Sequence, residues 1–600
     1  MAFEKYFRDE LDYLRQVGRL LAQEKPHLAA FLAEKGVDPD VERLLEGFAL
    51  LSGNLREKID DQFPELTHGL LAMLWPNYLR PVPSMTIVEY QPGKSVITQA
   101  TLVKSGVELL SRPLEVNRDE GWTPKDDEDG KLQCIFRQCR DVWLLPVELE
   151  NIRLNNSNKL AVLNVEFAAN KEVSVNKLGL EKLRFWLGDG GYSSCQLYFW
   201  FSYYFEKAEL VVDEEIYPLP DFDFIPQGFG REDAMLPYPK NAAMGYRILQ
   251  EYFCFPEGFM FFDIKGITPL PAERHVENFS LRFYFSRPFP PDVKIRRDSL
   301  RLYCTPAVNL FSRYSETILL DGTRTEYPLR VSHQDPEFYD IFSVDKVESW
   351  LGTGEKGRLR SYSPFESFQH QVEYAKGREK LYYRVRTKAS PFRQGLEHSL
   401  SFVRGDEKEC VLNHETVSVR LTCTNRELPE RLRVGDITMP ARENPSFAAF
   451  QNITRPTSPL YPVLDGSLHW SLISNMSLNY LSLLNKDALR QILRTYDLPS
   501  MHDRQAARAS QKKLEGITQV ETRPVDRLFR GIPLRGLETT LWLEQNAFSS
   551  EGELYLFGTV LDRFFSLYAS VNSFHVLKIV NVTNKECYEW PVQTGQRALI

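Results

Sequence analysis

DPDVERLLEGFALLSGNLREKIDDQFPELTHGLLAMLWPNYLRPVP, from Asp38 to Pro83, is the stretch on which the reading of this chain turns. Asp38 has the chemistry of an N-cap and Pro39 that of a first helical residue, with Asp40 and Glu42 at the positive end of the dipole. Apolar residues recur at Val41, Leu44, Leu45, Phe48, Leu51, Leu55 and Ile59, a stripe at helical spacing. Pro64 is expected to end that helix and open a second, in which Leu66, Leu70, Leu71 and Leu74 share a face. Pro76, Pro81 and Pro83 forbid further helix. Nothing in the block can do chemistry. It offers an apolar seam that must be buried against something.

Upstream, Phe3 to Glu24 reads as a helix with two adjacent stripes, Phe7, Leu11, Leu14 and Leu21 beside Tyr6, Tyr13, Val17 and Leu20. A stripe that wide suits a helix packed on two neighbours. From Ser84 the pattern changes to strands: TIVEYQ, SVITQATL, VELLS, VWLLPVELENIRL, KLAVLNVEFAA, KLRFWLG and QLYFWFSYYF (Gln196–Phe205). The acidic run Glu120–Asp129 reads as a solvated loop, and the prolines of Tyr217–Pro239 with Gly228 and Gly230 make an ordered connection. Strands resume at SLRFYFS and SLRLYC, and after an irregular region at Leu351–Phe368 in QVEYAKGREKLYYRVRTK and ECVLNHETVSVRLTC. Leu478–Tyr496 and Val560–Tyr568 read as helices, the second with Leu561, Phe564, Phe565 and Tyr568 on its face and Asp562 and Arg563 toward solvent or a partner. No repeat of 20 to 50 residues is present.

At 600 residues the chain needs more than one core. A net charge of −8 argues against a broad phosphate-binding surface. No apolar run reaches the roughly 18 residues of a membrane span. The acidic start MAFEKYFRDELDYLR lacks the features of a signal peptide, so the expected compartment is the cytoplasm. The cysteines, Cys134, Cys139, Cys195, Cys254, Cys304, Cys410, Cys423 and Cys587, are scattered without C-x2-C spacing and read as free thiols.

Catalytic signals are weak throughout. GTGEKG (Gly352–Gly357) matches G-x-G-x-x-G, but DKVESWL before it is a poor buried strand and RLRSYSPFESF after it a poor helix, so it reads as a loop. His333, near Asp335 and Asp340, reads as a loop histidine; His469 and His575 read as core or interface residues. The pairs Asp60–Asp61 and Glu214–Glu215 are neighbours in sequence, not in space. Met501–Arg535 carries eight Arg or Lys against four Asp or Glu, either a face for an acidic partner or a solvated connector. No catalytic, cofactor-binding or metal residue is assigned.

Taken with FEKYFRDELDYLRQVGRLLAQEKP (Phe3–Pro26), EYFCFPEGFMFFD (Glu251–Asp263), CTPAVNLF (Cys304–Phe311), ELYLFGTVLDRFFSLYASVNSF (Glu553–Phe574) and, more loosely, HWSLISNMSLNYLSL (His469–Leu483), the opening block resembles the TssF (VasA, ImpG) family of type VI secretion system baseplate proteins. The resemblance runs the length of the chain. It implies an α+β multidomain protein similar to contractile-phage baseplate wedge proteins: a helical wedge-bundle segment over residues 1–83, a β-rich middle over 84–335 and an α+β region over 336–600. It implies a structural subunit without cofactor, two copies of which join one TssG in a wedge. TssK, TssE, the VgrG spike hub and neighbouring wedges are further expected partners, with no nucleic acid and no membrane insertion. The expected setting is a cytoplasmic baseplate docked at the inner-membrane complex of a Gram-negative bacterium, where the contractile tail delivers effectors. Two readings from other classes are a β-rich carbohydrate-active enzyme, which needs clustered acids in a cleft, and a surface adhesin, which needs an export signal.

Overall fold

The computed structural model describes residues 8, 11–14, 39–92, 97–115, 131–169, 173, 178–188, 191–239, 244–267, 276–320, 324–332, 338–351, 358–365, 381–391, 393–404, 415–441, 444–445, 447–464, 466–476, 485–529, 532–569 and 573–595. The helices used below are α1 (Pro39–Leu74), α2 (Tyr192–Phe199), α3 (Met244–Cys254), α4 (Gly466–Met476), α5 (Lys486–Tyr496), α6 (Arg504–Glu515) and α7 (Glu551–Phe565). The protein is mixed α/β and strand-rich.

The chain forms two compact units, one of Met1–Leu79 with Val463–Ser474 and one of Arg80–Pro462 with Asn475–Ile600. The first contains α1, a 36-residue helix followed by a 3-10 turn at Pro76–Leu79. Pro64 lies inside α1 and does not divide it, contrary to the two helices expected there. An internal proline removes one hydrogen bond and bends a helix, and flanking turns with strong helix formers can carry it through. At the C-terminal end of α1, Thr67, Leu71 and Trp75 are buried. His469 of α4 closes this core, its Nδ1 3.4 Å from Thr67 Oγ1 and its ring edge-on to His68 and Tyr78.

The second unit is built on four larger sheets. A six-stranded antiparallel sheet runs in the order Ile437–Pro440, Glu108–Ser111, Ile135–Gln138, Cys304–Val308, Met85–Pro92, Ala448–Asn452. A five-stranded sheet orders Glu215–Leu219, Phe205–Val212, Asn278–Phe285, Ala161–Ala169 and Val147–Asn156. An eight-stranded sheet gathers Phe311–Tyr314, Ile318–Leu320, Glu415–Thr424, Asp340–Leu351, Arg358–Pro364, Leu381–Ala389, Leu396–Arg404 and Tyr327–Pro328. Alternation is clean in Glu415–Thr424, whose odd-numbered residues from Glu415 to Cys423 are buried and whose Thr416, Ser418 and Arg420 face outward. In the C-terminal sheet, Ile532–Leu543 and Phe574–Asn581 are parallel, Leu537 opposite His575, and α7 is the crossover between them.

Three further readings change. QLYFWFSYYF is not a strand: α2 continues into a π-helical turn at Trp200–Tyr204. Its aromatics pack in several directions, Phe201 stacking on Phe224 at 4.4 Å, Trp200 on Phe289 at 4.9 Å and Phe199 against Tyr555 at 5.0 Å. Gln196–Phe201 is buried without a break, and a short run of that kind carries no period by which strand and helix can be told apart. DKVESWL and RLRSYSP, read as poor elements, pair antiparallel, Val347 opposite Tyr362 and Trp350 opposite Leu359. The helix read from Leu478 begins in the structure at Lys486, because Asn485 is extended and caps it through Asp487 N; residues 477–484 lie outside the described set. The helix read from Val560 begins nine residues earlier at Glu551, capped by Ser550.

Candidate assembly interface

Among the described residues, those that invite a catalytic reading do not come together. GTGEKG, His333, Glu120–Asp129 and Cys410 lie outside the described residues, as do the side chains of Asp60 and Asp61. The elements flanking GTGEKG form an antiparallel hairpin, whereas a dinucleotide loop needs a strand followed by a helix. Glu214 sits with Asp213 at positive φ in the two-residue turn closed by the Val212–Glu215 pair. His575 is fully buried, with Nε2 2.9 Å from Thr539 Oγ1, and burial holds its pKa down at about 3. Among the described cysteines none is paired, and burial pushes the thiols of Cys134, Cys139, Cys195 and Cys423 up to about 12, which makes them poor nucleophiles at neutral pH. Among the described residues no group of three or more His, Cys, Asp or Glu could hold a metal ion.

The stretches singled out in the sequence instead become packing and polar-network positions. Glu251, in EYFCFPEGFMFFD, is fully buried on α3. Its Oε2 accepts from Arg247 Nη1 at 2.9 Å, and its Oε1 accepts from the backbone N–H groups of Met235 and Leu236 at 2.9 and 3.1 Å. Arg247 Nη2 donates to the carbonyls of Gly228 and Gly230, while Asp233 Oδ2 accepts from the N–H groups of the same two glycines. One ion pair thus fixes the proline-rich passage. Burial raises the pKa of Glu251, and the charge of Arg247 opposes that shift. This network had no signal in the sequence beyond a charged pair at i, i+4 inside an aromatic run.

In ELYLFGTVLDRFFSLYASVNSF, nearly all of α7 is buried. Glycine lets it approach α2 and the C-terminal strands: a Cβ at Gly552 would stand 2.0 Å from the Cys195 carbonyl oxygen, and one at Gly558 2.5 Å from the Trp590 ring. Asp562, expected to face solvent or a partner, is buried, because this crossover helix is covered on every side. Burial pushes its carboxyl up to about 7, partly offset by Arg563. Arg563 itself bonds Gln593 Oε1 at 2.8 Å.

The outward-facing feature is on α1. Leu44, Phe48 and Leu51 follow i, i+4, i+7 spacing and are 74%, 62% and 67% exposed, whereas Ala49 on the other side is buried. The side chain of Leu55, the next member of the stripe, lies outside the described residues. Large apolar side chains in a row on a helix are the mark of a surface completed by another chain. The geometry supports a structural protein that works by contact.

Comparison with known proteins agrees. The family model "Type VI secretion system, TssF" matches residues 1–597. The type VI secretion system component TssF1 of Pseudomonas aeruginosa is 28% identical over 644 aligned residues, covering 99% of this chain and 98% of that protein. A chain in a cryo-electron microscopy structure of the TssK–TssF–TssG baseplate subcomplex matches with a TM-score of 0.76 at 30% identity, over 92% of this chain and 98% of that one. A second, from a baseplate complex of the type VI secretion system, matches with a TM-score of 0.65 at 27% identity over 100% of each chain. With the family model spanning almost its whole length, the chain belongs to the TssF family of the type VI secretion system.

Proposed function

We propose that this chain is a structural subunit of the type VI secretion baseplate, assembled with TssG and TssK, and that it works through surfaces and not through catalysis. The observation that carries the reading is the exposed row Leu44, Phe48 and Leu51 on a long helix of a chain related to a TssK–TssF–TssG subcomplex. Helices with one unpaired apolar stripe gain most by bundling with partner helices. In this proposal residues 1–83 supply the bundle with TssG, and the strand-rich remainder supplies the body of a wedge. Two copies of this chain per TssG, contact with TssE and the VgrG hub, contact between neighbouring wedges and docking at the inner-membrane complex belong to the same proposal. A cytoplasmic setting fits it, and no helix among the described residues is long and apolar enough to cross a membrane. The family relation gives no support to a carbohydrate-active enzyme.

Co-expression with TssG and TssK, followed by size exclusion with mass measurement, tests the reading. A stable complex holding two copies of this chain for each TssG is the expected result. Failure to form any complex with TssG would refute it.

A further inference from the structure

We infer that the outward row of α6, Arg504, Arg508 and Lys512, is a docking surface for an acidic helix of another protein subunit. The inference rests on the baseplate reading above. The three cations stand four residues apart, so they form one line on the helix, spaced about 6 Å along its axis. All three are exposed, and none makes an ion pair among the described residues. Helix stability accounts for Lys512, which lies in the last turn, but not for the other two. Arg504 is the first residue of α6 and Arg508 lies one turn on, toward the positive end of the dipole, and like charges at i, i+4 repel. The row is also held ready. Asp503 caps the helix through Gln505 N and Ala506 N, and Lys513 turns inward to Glu553. Leu514 is buried, and Arg490 binds the carbonyls of Leu514 and Glu515 at 2.9 Å. The capped backbone fixes the spacing of the row, which offsets part of the rotamer freedom its long side chains lose on binding, and carboxylates on a facing helix repeat at the same spacing. The chain as a whole is at −8 while Met501–Arg535 is basic, so positive charge is concentrated in this segment, with the exposed Asp503 and Glu515 at the two ends of the row. Nucleic acid is disfavoured because α6 has no aromatic residue to stack bases, and a lipid surface because its exposed side has no large apolar residue to insert.

The test compares the full chain with its R504E/R508E/K512E variant and with R504K/R508K/K512R, each co-expressed with TssG and TssK. Because the row is exposed, both variants should melt like the parent. The reversal should weaken the complex by at least about tenfold at low ionic strength, and added salt, which loosens the parent complex, should not loosen the reversal variant further because it screens the new repulsion, while the conservative variant assembles normally. Wild-type affinity and salt dependence in the reversal variant overturn the inference. So does loss of binding to heparin or to phosphatidylserine vesicles with subunit assembly intact, which would reassign the row to a polyanion or a lipid. A parent chain that forms no complex with TssG and TssK at all refutes the baseplate reading, and the inference with it.

Discussion

Asn309 and Asn425, 116 residues apart, hold each other by two hydrogen bonds: Asn309 Nδ2 donates to Asn425 Oδ1 at 2.8 Å, and Asn425 N donates to Asn309 Oδ1 at 2.6 Å. Both also bond the backbone of Ile135, Asn309 donating to its carbonyl and Asn425 accepting from its N–H. Asn309 stands where CTPAVNLF leaves the six-stranded sheet at Val308 and enters the eight-stranded sheet at Phe311. The pair therefore joins two sheets by satisfying backbone groups that a corner between strands would otherwise orphan.

Replacing Asn309 with Leu should cost about 2–4 kcal/mol, since buried donors and acceptors on Asn425 and Ile135 lose their partners. A double-mutant cycle with Asn425→Leu should return a coupling of about 0.5–3 kcal/mol. Additive losses in thermal or denaturant unfolding would mean that the two side chains act independently.

The Arg247–Glu251 pair invites a harsher perturbation. Both groups are buried, so Glu251→Gln leaves a cation without its counter-charge, and breaking such a pair costs about 3–5 kcal/mol. The same change frees the backbone of Met235 and Leu236 from a charged acceptor, so limited proteolysis between residues 226 and 240 should speed up. An unchanged cleavage pattern would show that the passage is held by its prolines and aromatics alone.

Much of the fold was legible in these terms. Alternation located Ala161–Ala169 and Glu415–Thr424 because each has one buried face, and helical spacing located α1 because its apolar stripe spans several turns. The misreadings share a cause. Gln196–Phe201 and the Asp562 turn of α7 are almost wholly buried, and burial without an exposed face erases the period that distinguishes one element from another. Of the proposed interface, Leu44, Phe48 and Leu51 were readable as a stripe, yet nothing in the sequence tells a stripe that packs within the chain from one left uncovered. The row on α6 was visible only as a charge excess, because its line depends on where the helix begins.

Phe564→Ala should behave as a core truncation. Phe564 is fully buried, edge-on to Tyr246 at 5.8 Å and beside Phe565 at 5.7 Å. A loss of about 3–5 kcal/mol is expected, enough to lower the melting temperature of the isolated chain. A variant that melts normally and fails only in assembly would relocate this residue to an interface.

Asp562 gives a pH dependence with a definite sign. Its folded pKa of about 7 lies above the roughly 3.9 of an unfolded aspartate, so its contribution is full below about pH 4 and is lost as pH rises toward 7. His575 works in the opposite sense: its folded value of about 3 lies below the usual 6.5, and its contribution is lost as pH falls from 6.5 toward 3. The Asp562 effect must therefore be read as a difference. The melting temperature of Asp562→Asn should gain on that of the parent as pH rises from about 5 to 8. A difference that stays constant would mean that the carboxylate is charged and solvated in the folded protein.

Phe48→Asp separates fold from assembly most directly. The side chain is 62% exposed on α1, between Leu44 and Leu51 on the same face. Exposed substitutions away from caps and cores usually change stability by no more than about 0.5 kcal/mol, so the variant alone should melt like the parent. In a bundle with TssG the new carboxylate would have to be desolvated at the centre of an apolar contact, which costs several kcal/mol without a partner charge. Co-purification with TssG should then be abolished, while Glu46→Gln, an exposed neighbour outside the stripe, should assemble normally. If Phe48→Asp is instead recovered with TssG at the parent's yield, the stripe is not the contact, and the N-terminal helix must reach its partner by another face.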